Sequence, residues 1–273
     1  MRGEYMKVIT QDKDFFPSQM EEKLQFIRSL GFDGYEIDGK DLLERFAEVS
    51  EAVRSTGFPV TSACGGYRGW IGDFSREKRE QAVEDIGEIL KALSKVGGKG
   101  IVVPAAWGMF SKRLPPMVPP RSDSEDTAVL LESLESLNKM AAETDTFIYL
   151  EPLNRYEDHM LNTLQSAAKL IDVGGFSNVR LTADAFHMNI EEADIRQAVI
   201  ENGRYIGHVD IADSNRYQPG QAHLDFKTLF SALSEIGYSG DIAFECRVIG
   251  NNPAKRYGES CAFIRDLLRS IER

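Results

Sequence analysis

"VRLTADAFHMNIEEADIRQAVIENGRYIGHVD", residues 179–210, contains two short runs of strand length that each close on an aspartate, with a helical stretch between them. The runs "VRLTAD" (179–184) and "YIGHVD" (205–210) are apolar or β-branched for most of their length. Strand, helix, strand in that order is the unit of a parallel sheet, because parallel neighbours need a long crossover between them. Working outward, the same unit recurs. Further candidate strands are "KVIT" (7–10), "GYEI" (34–37), "PVTSA" (59–63), "GIVVPA" (100–105), "FIYLE" (147–151) and "DIAFE" (241–245). The stretches between them have helical spacing. In "REKREQAVEDIGEILKALSKV" (76–96), Val83, Ile86, Leu90 and Leu93 share one face and charges cover the other. "ESCAFIRDLLRSIER" ends the chain as a helix.

Eight such units in 273 residues are the size of a closed (β/α)8 TIM barrel of the α/β class. A doubly wound open sheet would show a glycine-rich first turn, whereas the first strand here runs into "QDKDFFPSQ". "VGGKG" (96–100) precedes a strand, so it reads as a helix stop and not as a phosphate cradle. No composition break divides the chain, and residues 1–273 are expected to form one TIM-barrel domain.

Composition narrows the function classes. The hydrophobic share of 42% and charged share of 27% are those of a soluble globular protein. A net charge of -11 repels phosphate backbones and anionic membrane surfaces, which argues against nucleic acid or membrane as partner. No apolar stretch approaches the length of a bilayer span. Cys64, Cys246 and Cys261 are widely spaced and form no CxxC pair, as expected of reduced thiols in the cytoplasm.

Two loops are long. "CGGYRGWIGDFS" (64–75) follows the third strand, and "AAWGMFSKRLPPMVPPRSDSED" (105–126) follows the fourth, stiffened by Pro115, Pro116, Pro119 and Pro120. Their aromatics Tyr67, Trp70, Trp107 and Phe110 are of the kind that stack on the C–H face of a sugar, or else tuck onto the barrel rim.

The strongest chemical signal is an acid at the end of each of the last four strands: Glu151, Asp184, Asp210 and Glu245, about one strand–helix unit apart. In a parallel barrel those ends converge on one face. Four carboxylates gathered there cannot all ionise unless a cation joins them, and oxygen-rich ligation suits Mn²⁺ or Mg²⁺. Asn154, Arg155 and Glu157 follow Glu151, His187 follows Asp184, and Arg216 follows Asp210. His159 and His223 lack such company and read as surface residues.

The motifs "LEPLNRYE" (150–157), "TADAFHMNIEE" (182–192), "GHVDIADSNRYQPGQAHLDF" (207–226) and "GYSGDIAFE" (237–245) resemble the xylose isomerase-like barrel superfamily. Within it, the resemblance is to the sugar epimerase branch typified by D-tagatose 3-epimerase and D-psicose 3-epimerase. It covers the C-terminal half; the N-terminal half agrees in its barrel pattern and in "GFDGYEI" (31–37).

The resemblance implies one divalent ion, Mn²⁺ first with Mg²⁺ or Co²⁺ as alternatives, held by Glu151, Asp184, Glu245 and a further ligand from the seventh strand. It implies Glu151 and Glu245 as the acid/base pair, and Glu157, His187 and Arg216 as sugar contacts, with Trp107 a further candidate. It also implies a homo-oligomer, dimer or tetramer. The chain departs at the third ligand, where relatives carry histidine and this sequence has Asp210. His208 lies two residues earlier, on the same side of the strand and one layer deeper, so either Asp210 or His208 is expected to fill that place.

The implied reaction is proton abstraction next to a ketose carbonyl through an enediolate, with C3 epimerisation favoured. Aldose–ketose isomerisation, an inosose dehydratase-like elimination, or a sugar-binding barrel without chemistry are the alternatives. The zinc-dependent endonuclease IV relatives need many histidines and a basic groove, which four histidines and a charge of -11 do not provide.

Overall fold

Helices begin where the sequence supplies capping oxygens. Residues 6–110 and 118–271 are described in a computed structural model of the chain. Ser75 caps the helix Arg76–Lys95 by accepting from Lys78 N–H. Ser122 and Glu125 form a reciprocal capping box at the start of Asp123–Glu143, satisfying donors that the first helical turn leaves free. At the other end, Gly57 at φ 61° closes the helix Phe46–Thr56 in the left-handed conformation that a side chain disfavours.

The element order is β1 (Lys7–Thr10), α1 (Met20–Ser29), β2 (Gly34–Asp38), α2 (Gly39–Glu44), α3 (Phe46–Thr56), β3 (Val60–Cys64) and α4 (Arg76–Lys95). There follow β4 (Gly100–Pro104), α5 (Asp123–Glu143), β5 (Phe147–Glu151), α6 (Leu164–Gly174), β6 (Val179–Asp184), α7 (Ala185–Glu191) and α8 (Ile195–Asn202). The chain ends with β7 (Ile206–Ile211), α9 (Phe226–Glu235), β8 (Asp241–Phe244) and α10 (Pro253–Ile271). The strands close a parallel barrel in sequence order, β1 pairing with β8. The expected (β/α)8 fold is therefore the observed one. Among the described residues no helix is long and apolar enough to cross a membrane. Pro115 and Pro116 of the long loop lie outside the described residues.

Alternation along the strands runs opposite to a simple inside-apolar rule. Ile37, Ala63, Ile101, Leu150, Leu181, Val209 and Ile242 belong to the core shared with helix residues such as Leu24, Ile86 and Leu90. The residues between them, among them Glu36, Ser62, Thr182, His208 and Asp210, are buried polar groups. Period-two alternation thus builds an apolar layer between strands and helices and leaves a polar lining inside the barrel. That lining is what the strand-end acids belong to.

Candidate active site

Glu151 and Asp184 are the last residues of β5 and β6, Asp210 is the second-last residue of β7, and Glu245 directly follows β8. Asp184 and Asp210 are register partners across β6 and β7. One carboxylate oxygen from each of Glu151, Asp210 and Glu245 lies within 4.8 Å of the others, and Glu151, Asp184 and His187 form a second such group. The four acids are thereby linked through Glu151. Glu151 Oε1 and Asp210 Oδ2 are buried without a hydrogen-bond partner, and Asp210 Oδ1 has only the His208 ring, 3.3 Å away. Bare buried carboxylate oxygens are costly unless a cation meets them. An all-oxygen donor set of this kind fits a hard divalent cation.

Arg216 enters from the loop after β7. Its Nη1 donates to Asp184 Oδ2 at 2.7 Å, and its Nη2 lies 2.7 Å from Glu245 Oε2. The guanidinium rests over the Phe186 ring, 4.7 Å from its centre. Asp184 serves two masters: its Oδ1 caps α7 by accepting from Phe186 N–H at 2.7 Å, while Oδ2 faces Arg216.

The other residues singled out in the sequence form one chain of contacts. His187 Nε2 points to Asp184 Oδ2 at 3.5 Å and to Glu151 Oε1 at 3.8 Å. Its Nδ1 accepts from the backbone N–H of Asn154 at 3.1 Å, which places the proton of the neutral ring on Nε2, toward the carboxylates. Asn154 Nδ2 donates to Glu157 Oε1 at 2.8 Å, and Trp107 Nε1 donates to Glu157 Oε2 at 2.9 Å. The indole is 56% exposed, so Trp107 stands at the mouth and not in the core. A cavity of about 620 Å³ opens there, lined by Gln11, Trp107, Glu157, Phe186, Arg216 and Glu245 among others. Arg155 turns away from it to pair with Glu191 at 2.9 Å.

Burial and mutual repulsion set the protonation of this group. Burial, then Glu245, Asp184 and Asp210, push Glu151 well above the usual carboxylate range. Burial lifts Glu245 to about 8 against the pull of Arg216, with Asp210 and Asp184 adding to the rise. Asp210 is pushed up to about 6, by burial first, against the pull of His208. Burial also acts to raise Asp184, but Arg216 and His187 bring it below its ordinary value. Protonation is thereby favoured at the two glutamates and disfavoured at Asp184.

One layer deeper, a group that the sequence reading passed over supports Asp210. His208 Nε2 lies 3.0 Å from Glu36 Oε2 and 3.3 Å from Asp210 Oδ1, and its ring stacks on Tyr149 with 5.1 Å between centres. Ser62 Oγ donates to Glu36 Oε2 at 2.6 Å and Gln11 Nε2 to Oε1 at 3.0 Å. The signal was present in "GYEI", a carboxylate inside an apolar strand, the same oddity that marks Asp210.

His159 corrects a second expectation. It is buried, 3% exposed, with Nε2 3.0 Å from Asp126 Oδ2 and Phe110 packed edge-on against its ring. Phe110, which follows β4, and Asp126 of α5 close around it, so it is structural. His223 is exposed, as expected.

Residues 24–267 match the family described as xylose isomerase-like TIM barrel. A 3-dehydro-D-guloside 4-epimerase of Escherichia coli (strain K12) is 50% identical over 260 residues, 95% of this chain and 99% of that protein. An L-ribulose 3-epimerase of Mesorhizobium japonicum is 30% identical over 254 residues, covering 88% of this chain and 80% of its own. The apo crystal structure of a 3-keto-D-glucoside 4-epimerase from E. coli matches at TM-score 0.93 and 50% identity, over 96% of this chain and 99% of that one.

Proposed function

Belonging to the xylose isomerase-like TIM barrel family, the chain is an isomerase of the sugar epimerase type, and we propose that it inverts the carbon next to a sugar ketone with Glu151 and Glu245 as the acid/base pair. The observation that carries this reading is the pair itself. Buried Glu151 and half-buried Glu245, both shifted upward, have ligand atoms within 4.8 Å of each other. One removes the C–H proton and the other returns a proton to the opposite face, and each must be able to take either form near neutral pH.

Glu151, Asp184, Asp210 and Glu245 are the residues that would hold a divalent ion, for which Mn²⁺ suits the all-oxygen set best. When bound, it supplies Lewis acidity to the ketone oxygen. Arg216 and His187 lie beside the same carboxylates and would bind substrate oxygens, with Arg216 stabilising the negative charge of the enediolate. Trp107 and Glu157 flank the mouth and would hold the far end of the sugar.

Two substrate registers deserve assay: ketohexoses inverted at C3, and hexosides carrying a ketone at C3 and inverted at C4. The second is supported by the 50% identical relative. The chemistry is the same in both, shifted by one carbon. Three unpaired thiols support a cytoplasmic setting, and family membership supports a dimer or tetramer.

The test is solvent exchange. The Mn²⁺-loaded protein is expected to place deuterium from D₂O at the carbon next to the ketone in at least one substrate class. Glu245→Gln and Glu151→Gln should each lower turnover by about 100-fold or more. Turnover unchanged in both variants would refute the assignment.

A further inference from the structure

The loop after β7 is wound around one carboxylate. Asp213 Oδ2 accepts the backbone N–H groups of Gly220, Gln221 and Ala222, each at 2.9 Å. Its Oδ1 accepts those of Ser214 at 2.8 Å and Leu224 at 3.1 Å. The Asp213 carbonyl also accepts from Arg216 N–H at 2.8 Å, and its own N–H donates to the Tyr217 carbonyl at 2.8 Å. Asp213 is buried, 1% exposed, and both oxygens are fully used by this loop, so it is not free to contact a substrate. An ionised carboxylate is the side chain this arrangement requires. An asparagine would turn an NH₂ toward two or three N–H donors.

What the loop carries is Arg216, held at φ 62°, a left-handed conformation uncommon for a residue with a Cβ. Such a conformation persists where the surroundings over-determine it. Beyond the Asp213 bonds, the Arg216 carbonyl accepts from Arg247 N–H at 2.9 Å. The Gln218 side chain both donates to the Ile249 carbonyl and accepts from its N–H, each at 3.1 Å. The segment bearing Arg216 is thereby tied to the segment that follows Glu245.

We propose that Asp213 is a positioning residue. By gathering five backbone N–H groups it fixes the loop in the one shape that sets the Arg216 guanidinium between Asp184 and Glu245. Its consequence for turnover rests on the epimerase reading above; the placement of Arg216 does not.

The experiment therefore has one arm without substrate. In ¹H–¹⁵N spectra of the wild-type protein at low temperature, the Arg216 Nη–H signal, assigned by its loss in Arg216→Lys, is expected to be sharp and slow to exchange, because Nη1 and Nη2 are held by Asp184 and Glu245. The amides of 214, 220, 221, 222 and 224 should be protected together. Asp213→Asn should broaden or erase the Arg216 signal while the circular dichroism is kept. In the kinetic arm, Asp213→Asn should lower kcat/KM by about 10- to 100-fold, the scale of a misplaced catalytic contact. In an Arg216→Gln background the same change should cost less than about twofold, because coupled residues are not additive.

A sharp Arg216 signal in Asp213→Asn, or losses that multiply in the double variant, would overturn the proposal. If Asp213→Asn does not fold, freely exchanging amides at those five positions in the wild type would do the same. Absence of deuterium uptake by the wild type sinks the epimerase reading alone and leaves the spectroscopic arm to decide the positioning role.

Discussion

Divalent metal binding by this chain should release about two protons at pH 7. Glu245, pushed up to about 8, would be about nine-tenths protonated at that pH, and burial with the neighbouring acids favours the protonated form of Glu151 too. Asp210 at about 6 adds about a tenth of a proton, and Asp184, held low, adds none. A cation that engages the four carboxylates must displace these protons. The sign follows directly: protons compete with the metal, so affinity rises with pH, and the slope falls by about one above pH 8 as Glu245 ionises by itself.

Two protons give a slope of about two in log affinity per pH unit between pH 6.5 and 7.5, or about 2.7 kcal/mol. Titration of Mn²⁺ by calorimetry in buffers of different ionisation enthalpy reads the proton count at each pH. Glu245→Gln should bring the count down by about one. A wild-type release below about half a proton at pH 7, or a count unchanged by Glu245→Gln, would show that these two glutamates do not take up metal in the way the geometry implies.

Three further outcomes are expected. Asp158 is raised from 3.8 to about 6, by burial first, so the fold prefers its neutral form. Its stabilising contribution is complete below about pH 3.8 and falls by about 3 kcal/mol as pH rises through 6. Asp158→Asn retains an acceptor for the Met160 and Leu161 N–H groups and should remove that fall, read as a denaturant midpoint at pH 4 and at pH 7; an unaltered pH dependence counts against the buried charge as its cause. Glu36→Gln leaves His208 facing Asp210 alone and should lower unfolding free energy by about 3 kcal/mol at pH 7, with a midpoint equal to wild type as the contrary result. Asp210→His puts an imidazole into an all-carboxylate set and should raise the Zn²⁺ to Mn²⁺ affinity ratio by about tenfold or more, measured by competition; an unchanged ratio would place Asp210 outside the metal's reach.

Fold and acid placement were legible for a common reason. Strand length and alternation are local properties, so "FIYLE", "VRLTAD" and "YIGHVD" announce both the strands and the ends at which Glu151, Asp184 and Asp210 stand. Boundaries moved by a residue, as where Glu245 falls just past β8 and Asp210 one short of the end of β7, without moving the acids from the shared face. The relation of Glu36 to His208 was not legible. The two are 172 positions apart, and only closure of the barrel, with side chains from opposite parts of the sequence turned into one lining, brings their polar atoms to 3.0 Å. His159 was misplaced for a similar reason, since its burial depends on Phe110 and Asp126, which the fold brings to it from other parts of the chain.

Asp213 marks the limit most clearly. Its partners are backbone N–H groups, which every residue but proline owns, so no side-chain pattern in "DSNRYQPGQAHL" reveals that they converge. The sequence by itself determined the eight strands and the strand ends at which the four acids stand, because periodicity and residue type are enough for that. Tertiary structure alone decided which groups hold the acids and Arg216 in place, because those contacts are made by chain closure and by backbone atoms that carry no sequence signature.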